Sequence, residues 1–368
     1  MSEETMFEIK GNYGTAKVFS EIRDEKAIEQ IQVLMDQPFV EGSKVRIMPD
    51  YHWGAGCTIG FTAVLRDYVV PNLVGVDIGC GMYVESLGKQ DLDLKSFDRL
   101  VHEIPAGFNS WKQPVESAAF MRELLCFDEI KTSVIDKQVG TLGGGNHFIE
   151  LDIEEKTGEV FLVIHSGSRN VGKQIADYYQ KLAGISCKAD VPKPLKYLEG
   201  ELAQRYLHDM RLCQEYASLN RQTMGKYINQ RFGIGGSSFQ TIHNYINASD
   251  NIIRKGAVSA RKGEKLIIPL NMRDGSLICV GKGNSDWNDS APHGAGRRYG
   301  RKEALRILSL QDFQASMRNV FSTTIGRETL DEAPMAYKPT AEIVKAIQDT
   351  VVIETHIKPI YNFKAGRE

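Results

Sequence analysis

VFLVIHSGSRN (160–170) sets a run of β-branched and aromatic residues directly against a polar, glycine-bearing turn, the pattern of a buried strand that ends at a site. His165 is placed at the end of that strand, with Ser166, Ser168 and Arg169 in the turn beyond, where α/β folds collect their chemistry. Upstream, VVPNLVGV (69–76) has the same character, predicts a second buried strand and runs into GVDIGCGM (75–82). Downstream, Leu198, Leu202, Tyr206, Met210, Cys213, Ala217, Met224 and Ile228 recur at three- and four-residue spacing and predict a long amphipathic helix from Tyr197 to Phe232. GISCKADVPKPLK before it reads as a surface loop. Further helices are predicted at 93–104, with Leu94, Phe97, Val101 and Ile104 on one face, and across 301–318. Strands and helices in this irregular order predict an α/β, α+β-like architecture with mixed central sheets flanked by helices, and not a regular alternating barrel. No repeat, low-complexity tract or long linker divides the chain, and its unusual motifs lie at 48–82, 140–172, 241–263 and 290–301. A site drawn from all of them requires one interwoven catalytic domain over 1–368.

At 368 residues, 42% hydrophobic and 25% charged, the chain can bury a sizeable core. Its formal net charge of -2 excludes a globally basic nucleic-acid coat and leaves room for a local phosphate-binding cleft. MSEETMFEIKGNYG has neither a basic start nor the apolar run that secretion needs, and no stretch approaches the ~20 apolar residues of a membrane span, so a soluble cytoplasmic protein without a membrane partner is predicted. Cys57, Cys80, Cys126, Cys187, Cys213 and Cys279 are scattered without a compact framework, which suggests reduced thiols. A special cysteine here is then a ligand or a nucleophile.

In GVDIGCGM, Asp77 and Cys80 stand three positions apart among glycines, which can aim a carboxylate and a thiolate at one point; the bland alternative is a tight turn with a core cysteine. GTLGGGNHFIE (140–150) places a glycine-rich turn before Asn146 and His147, where backbone can approach phosphate closely, although it is neither a Walker loop nor a dinucleotide fingerprint. His243, in TIHNYIN, sits among amides and not on a clean apolar face. Asp77, Cys80, His147, His165 and His243 together offer oxygen, sulfur and nitrogen donors, enough for one metal or for two sharing a thiolate. Thiolate and imidazole favour zinc, whereas carboxylate and phosphate suit Mn²⁺. In APHGAGRRYGR (291–301), Pro292 fixes the approach to His293, Gly294 and Gly296 clear space for phosphate, and Arg297, Arg298 and Arg301 add positive charge. A neutral imidazole there is a competent nucleophile towards an activated phosphate, against the plainer reading of a glycine turn with a surface histidine and a solvated basic helix.

Taken together, MPDYHWGAGCTIG (48–60), GVDIGCGM, GTLGGGNHFIE, HSGSRNVG, IHNY, RKGA (254–257), PHGAGR and the closing HIKPIYNFKAG resemble the RtcB family of RNA ligases in order, spacing and identity. That family joins an RNA 3′-phosphate or 2′,3′-cyclic phosphate to a 5′-hydroxyl, using GTP and usually Mn²⁺, in transfer RNA splicing and RNA repair. The resemblance implies that Asp77, Cys80 and His147 hold one metal, that Cys80, His165 and His243 hold the other, and that Zn²⁺, Co²⁺ or another divalent ion can substitute in vitro. It implies that His293 attacks the α-phosphate of GTP to form histidine-GMP, with Asn146 as a further catalytic residue. Asn146, His147, Phe148, Ile149, Glu150, His243, Asn244, Pro269, Leu270, Asn271, Met272, Ser276, His293, Gly294, Ala295, Gly296 and Lys364 are the implied guanylate-binding set. PLNM (269–272) stands where many relatives have a glycine-serine segment. RNA with broken ends, from transfer or ribosomal RNA, is the implied partner alongside GTP; an activating protein is admitted, and the oligomeric state is left open. Arg169, Arg261, Lys262, Arg297 and Arg298 are candidates for RNA phosphate contacts. A dinuclear phosphatase or cyclic phosphodiesterase, with water in place of His293, and a noncatalytic RNA-binding subunit are the competing classes.

Overall fold

A computed structural model describes residues 6–366. Its strands are β1 (Phe7–Lys10), β2 (Thr15–Val18), β3 (Val45–His52), β4 (Ile59–Ala63), β5 (Gly81–Gly88), β6 (Phe148–Glu154), β7 (Glu159–Ser166), β8 (Ser238–Ile242), β9 (Asn244–Ile246), β10 (Ile253–Lys255), β11 (Ala257–Ser259), β12 (Lys265–Asn271), β13 (Gly275–Gly281), β14 (Ser290–Pro292) and β15 (Val351–Lys364). Between them lie α1 (Glu25–Met35), α2 (Leu94–Val101), α3 (Ile135–Gln138), α4 (Arg169–Ser186), α5 (Gly200–Phe232), α6 (Arg301–Ile307), α7 (Leu310–Ser316) and α8 (Thr340–Ala346). Seven strands form an antiparallel sheet in the order β12-β13-β15-β6-β7-β5-β8. Six form a second sheet, β1-β2-β3-β4-β10-β9, in which only β2 and β3 run parallel, and β11 pairs with β14 apart from both. The mixed α/β architecture expected from the sequence is therefore present. Among the described residues no helix is long and apolar enough to cross a membrane.

The strand expected at 69–76 is absent. Pro71 has no N–H to donate to a ladder and instead opens a 3-10 turn over Pro71–Leu73, leaving Val69 with a single bridge to Leu198. Val69, Val70, Leu73 and Val74 are buried all the same, so the apolar run marked core correctly and strand incorrectly. The helix expected at 301–318 divides in two, because Ser309 leaves the helical conformation and its side chain accepts from the Asp312 amide as the N-cap of α7. The predicted loop starts a turn late, since α4 continues through Ser186. The long helix is there as α5, closed by Gly233 in the left-handed conformation at φ 70.

Helix α5 connects two cores and fixes the geometry between them. Tyr206, Met210, Cys213 and Tyr216 pack with Ile78, Val171, Ile175 and Tyr179, while Met224 and Ile228 pack with Tyr83, Leu162 and Ile164 beneath the large sheet. Where the two cores meet, α5 buries Asn220 and Arg221. Asn220 accepts from the Thr141 amide at 2.9 Å, and its Nδ2 lies 3.1 Å from the carbonyls of Thr141 and Gly167. Arg221 Nη1 donates to the carbonyls of Gly79 at 2.9 Å and Ser166 at 2.8 Å, while Nε donates to Gln240. Burial lowers the guanidinium pKa to about 10, which leaves it protonated at neutral pH. One turn of helix thus grips the chain beside Cys80, His165 and the 140–147 loop.

Replacing Arg221 with Met should leave those carbonyls buried without donors, at about 1–3 kcal/mol for each. Urea unfolding is expected to show a correspondingly lower midpoint with little change in slope; an unchanged midpoint would mean that the two loops hold their places unaided.

Candidate metal and nucleophile site

Five side chains converge at one end of the large sheet. His165 occupies the penultimate position of β7 and pairs in register with Met82 of β5 and Phe148 of β6, so residues flanking those strands, Cys80 and His147, are brought to it. His243 follows β8, and its amide donates to the Cys80 carbonyl at 2.9 Å. Cys80 Sγ lies 3.4 Å from His147 Nε2 and 3.3 Å from His165 Nε2; His165 and His243 Nε2 are 3.4 Å apart, and Asp77 Oδ2 is 3.1 Å from His147 Nε2. The ligand atoms fall into two groups, Asp77–Cys80–His147 and Cys80–His165–His243, each within 4.8 Å, with the sulfur common to both. Gly167 is required beside them, since a Cβ there would sit 2.1 Å from Asp77 Oδ1.

The electrostatics fit a divalent pair. Burial holds His165 and His243 well below the ordinary histidine range, so both are neutral donors at pH 7. His165 Nδ1 lies 3.1 Å from the Asn146 carbonyl; an N–H donated there leaves Nε2 free to point at the sulfur. Burial raises the Asp77 carboxyl, but the hydrogen bond and charge of His147 outweigh it and hold the group well below the carboxylate norm. Burial, reinforced by Asp77, pushes the Cys80 thiol far up. Without a cation the sulfur keeps its proton; with one, a thiolate-centred N, O and S donor set suits zinc, manganese or cobalt.

His293 approaches this cluster from β14. Its ring centroid lies 4.8 Å from that of His243, and its Nδ1 is 2.6 Å from Oδ2 of Asp50, which is fully buried on β3. Gly296, at φ 73, lets the chain turn against that strand: a Cβ would fall 2.1 Å from the Asp50 carbonyl oxygen. Lys338 ties the same stretch by donating to the carbonyls of Pro49 and Tyr51. An Nδ1–H donated to Asp50 by a neutral ring would leave the lone pair on Nε2.

His293 opens onto a cleft of about 1510 Å³. Asn146, Phe148, Glu150, Pro269, Leu270, Asn271, Met272, Gly294, Ala295, Gly296 and Lys364 line it. Lys364 Nζ is 2.8 Å from Glu332, 3.3 Å from the Asn146 carbonyl and 5.4 Å from the Phe148 ring centroid. Burial would raise Glu332, but Lys364, Arg301 and Arg297 bring it down to about 2, while burial lifts Glu150 to about 7 against the Asn362 hydrogen bond. Other candidates stand away from the cleft. Ile149 packs into the core under the sheet, Asn244 is engaged with the Asp77 carbonyl and the Gly256 amide, and Ser276 is fully buried. Of the proposed phosphate-contact cations, Arg169 is buried and donates to Thr141 and Gly107, Arg261 is tied to Asp250, and Lys262 is exposed away from the cleft. Arg297 and Arg298 do line the cleft, the former paired with Glu332.

Asp50 and Glu332 received no role from the sequence. Asp50 lay in view inside MPDYHWGAG, where a carboxylate between apolar residues was a usable signal; nothing marked Glu332 in its polar surroundings.

The family model described as "tRNA-splicing ligase RtcB" matches residues 30–126 and 126–365. An Escherichia coli K12 protein named RNA-splicing ligase RtcB is 32% identical over 89% of this chain and 91% of its own length. A Nanoarchaeum equitans protein named tRNA-splicing ligase RtcB is 25% identical over 92% of this chain and 91% of its own.

Because the thiol is raised and the two buried imidazoles are already neutral, metal uptake near pH 7 should expel about one proton from Cys80 and none from His165 or His243. Zinc titration calorimetry in buffers of different ionisation enthalpy counts those protons, and the Cys80→Ala variant should lose that proton and bind poorly at both positions. Equal proton release by parent and variant would exclude Cys80 as a ligand.

Proposed function

The chain belongs to the RtcB family, and from that premise we propose that it is an RNA ligase joining RNA 3′-phosphate or 2′,3′-cyclic phosphate ends to 5′-hydroxyl ends at the expense of GTP, through a guanylylated His293. The observation that carries this reading is the 2.6 Å contact between His293 Nδ1 and buried Asp50, which leaves Nε2 available beside the donor cluster. In this reading Nε2 attacks the α-phosphorus of GTP, a P–N bond forms, the bond to the β-phosphate oxygen breaks, and pyrophosphate departs. Asp50 holds the ring in the reactive tautomer and offsets the positive charge that the imidazole gains. GMP then passes to an oxygen of the RNA 3′-phosphate, which frees His293; the 5′-hydroxyl attacks that phosphorus, loses its proton and expels GMP. A cyclic phosphate is first opened by water to the 3′-phosphate.

Divalent cations on Asp77, Cys80, His147, His165 and His243, manganese in this reading, supply Lewis-acid polarisation of phosphate oxygens when bound. Asn146, Phe148, Glu150, Pro269, Leu270, Asn271, Met272, Gly294, Ala295, Gly296 and Lys364 line the space offered to the guanylate. Lys364, already in place over Phe148 and anchored by Glu332, is suited to meet a base edge. Broken transfer or ribosomal RNA is the substrate class.

Incubation with α-labelled GTP and Mn²⁺ should leave acid-labile GMP on the chain, and His293→Ala should abolish the label while metal content stays at the parental level. A phosphatase would release phosphate from RNA ends without acquiring label, and labelling that persists in His293→Ala would remove the nucleophile assignment. Asp50→Asn is expected to slow label formation by roughly 10²–10⁴, the scale seen when an imidazole loses its orienting carboxylate. Single-turnover quench measurements check this; parental rates in that variant would show that the pair does not tune the nucleophile.

A further inference from the structure

Trp53 is 56% exposed and lines the cleft, one residue after His52 and three after the carboxylate that grips His293. An isolated exposed aromatic is ordinary. What distinguishes this one is the restraint of the chain around it. Gln30 clamps Gly54 from both sides, donating to its carbonyl at 2.7 Å and accepting from its amide at 3.2 Å. Thr58 donates to the His52 carbonyl at 2.9 Å, and Lys255 Nζ donates to the Ala55 carbonyl at 2.7 Å. Gly54 cannot carry a side chain, because a Cβ would lie 2.5 Å from the Cys57 carbonyl oxygen. The main chain on each side of Trp53 is therefore restrained, and the turn presents Trp53 to solvent. The other two tryptophans are engaged: Trp287 is buried and stacked on Phe19 at 3.9 Å, and Trp111 packs on Tyr227 at 5.1 Å and donates to the Gly140 carbonyl.

The exposed charges lining this cleft are mixed. Arg23, Lys26, Arg298, Arg301 and Lys302 stand with Glu25, Glu303 and Glu342, so no single-sign field recommends the place. A pre-placed aromatic face is what unpaired bases stack on, because every base has a π-face and stacking needs no net charge. We propose that Trp53 is a stacking platform for an unpaired RNA base next to the break, seating the strand end beside His293. This rests on the ligase reading above. The base concerned is the RNA's and not the guanine of GTP, since Trp53 belongs to the segment that holds His293 Nδ1, whereas Lys364, Glu332 and Phe148 form a separate polar and aromatic group around Asn146.

The test uses the full-length, manganese-loaded protein and a fluorescein-labelled single-stranded oligoribonucleotide with a 5′-hydroxyl, read by anisotropy and, unlabelled, by tryptophan emission. Trp53, the most exposed of the three tryptophans, should be quenched by the RNA and not by GMP. Trp53→Ala should bind the RNA about tenfold or more weakly, by the usual worth of one stacked base. That factor should stay the same at low and at physiological salt, as a lost phosphate contact would not. Trp53→Phe keeps a ring, so it should bind within about threefold of the parent while losing the quench. Matching melting temperatures and metal contents establish that the variants are folded. Parental affinity in Trp53→Ala, or quenching by GMP alone, overturns the proposal and leaves the ligase reading standing. A parent that binds no RNA at all removes both.

Discussion

A fully buried guanidinium holds the donor-bearing end of this molecule together. Arg221 sits where two apolar cores abut, a place where an unpaired cation would be strongly disfavoured. Its Nη1 donates to two carbonyls and its Nε to Gln240, and the Asp77 carboxylate adds electrostatic support. Those carbonyls belong to Gly79 and Ser166, each one residue from a sulfur or imidazole donor. Asn220, the preceding residue on α5, does the same for the 141 and 167 turns. Strand register brings the donors to a common end of the sheet, and the helix sets how far each loop reaches past it.

From that anchor the cleft divides into two prearranged parts. One is the imidazole of His293 with Asp50, fixed through strand β3 and Lys338. The other is Lys364 with Glu332 and Phe148, where three cations around one buried carboxylate keep it ionised despite its burial. Each part is held by its own hydrogen bonds, which would lower the ordering cost of the nucleotide proposed above. Arg297 and Arg301 serve this second part by pairing with Glu332, so their charge is committed inward to a large degree.

Much of this could be read from the residues themselves. Asp77, Cys80, His147, His165 and His243 each stand in or beside a glycine-bearing or amide-rich turn, and chemistry that needs side chains aimed at one point leaves that local mark. His293 was conspicuous for the same reason. The helix over 200–232 was legible because a 3.6-residue period persists across nine turns, while 69–76 misled because an apolar run reports burial and a proline decides against a strand. Long-range pairing left no such mark. The partner of His293 lies 243 residues away, that of Lys364 is one glutamate among many, and Arg169, by its sequence a candidate for phosphate, turns its side chain into the protein. Local sequence reveals what a residue is fit to do, and only the fold reveals which other residue completes it.

Placing one sulfur in both donor groups has a consequence for wear. An injury to an imidazole or to the Asp77 carboxylate subtracts from one group or the other, but a single oxidised atom at Cys80 disables both at once. Cys80 as a whole residue is 3% exposed. Peroxide reaches it only when the surrounding packing opens, so the shelter of the thiol and the integrity of the fold are, for this centre, one property.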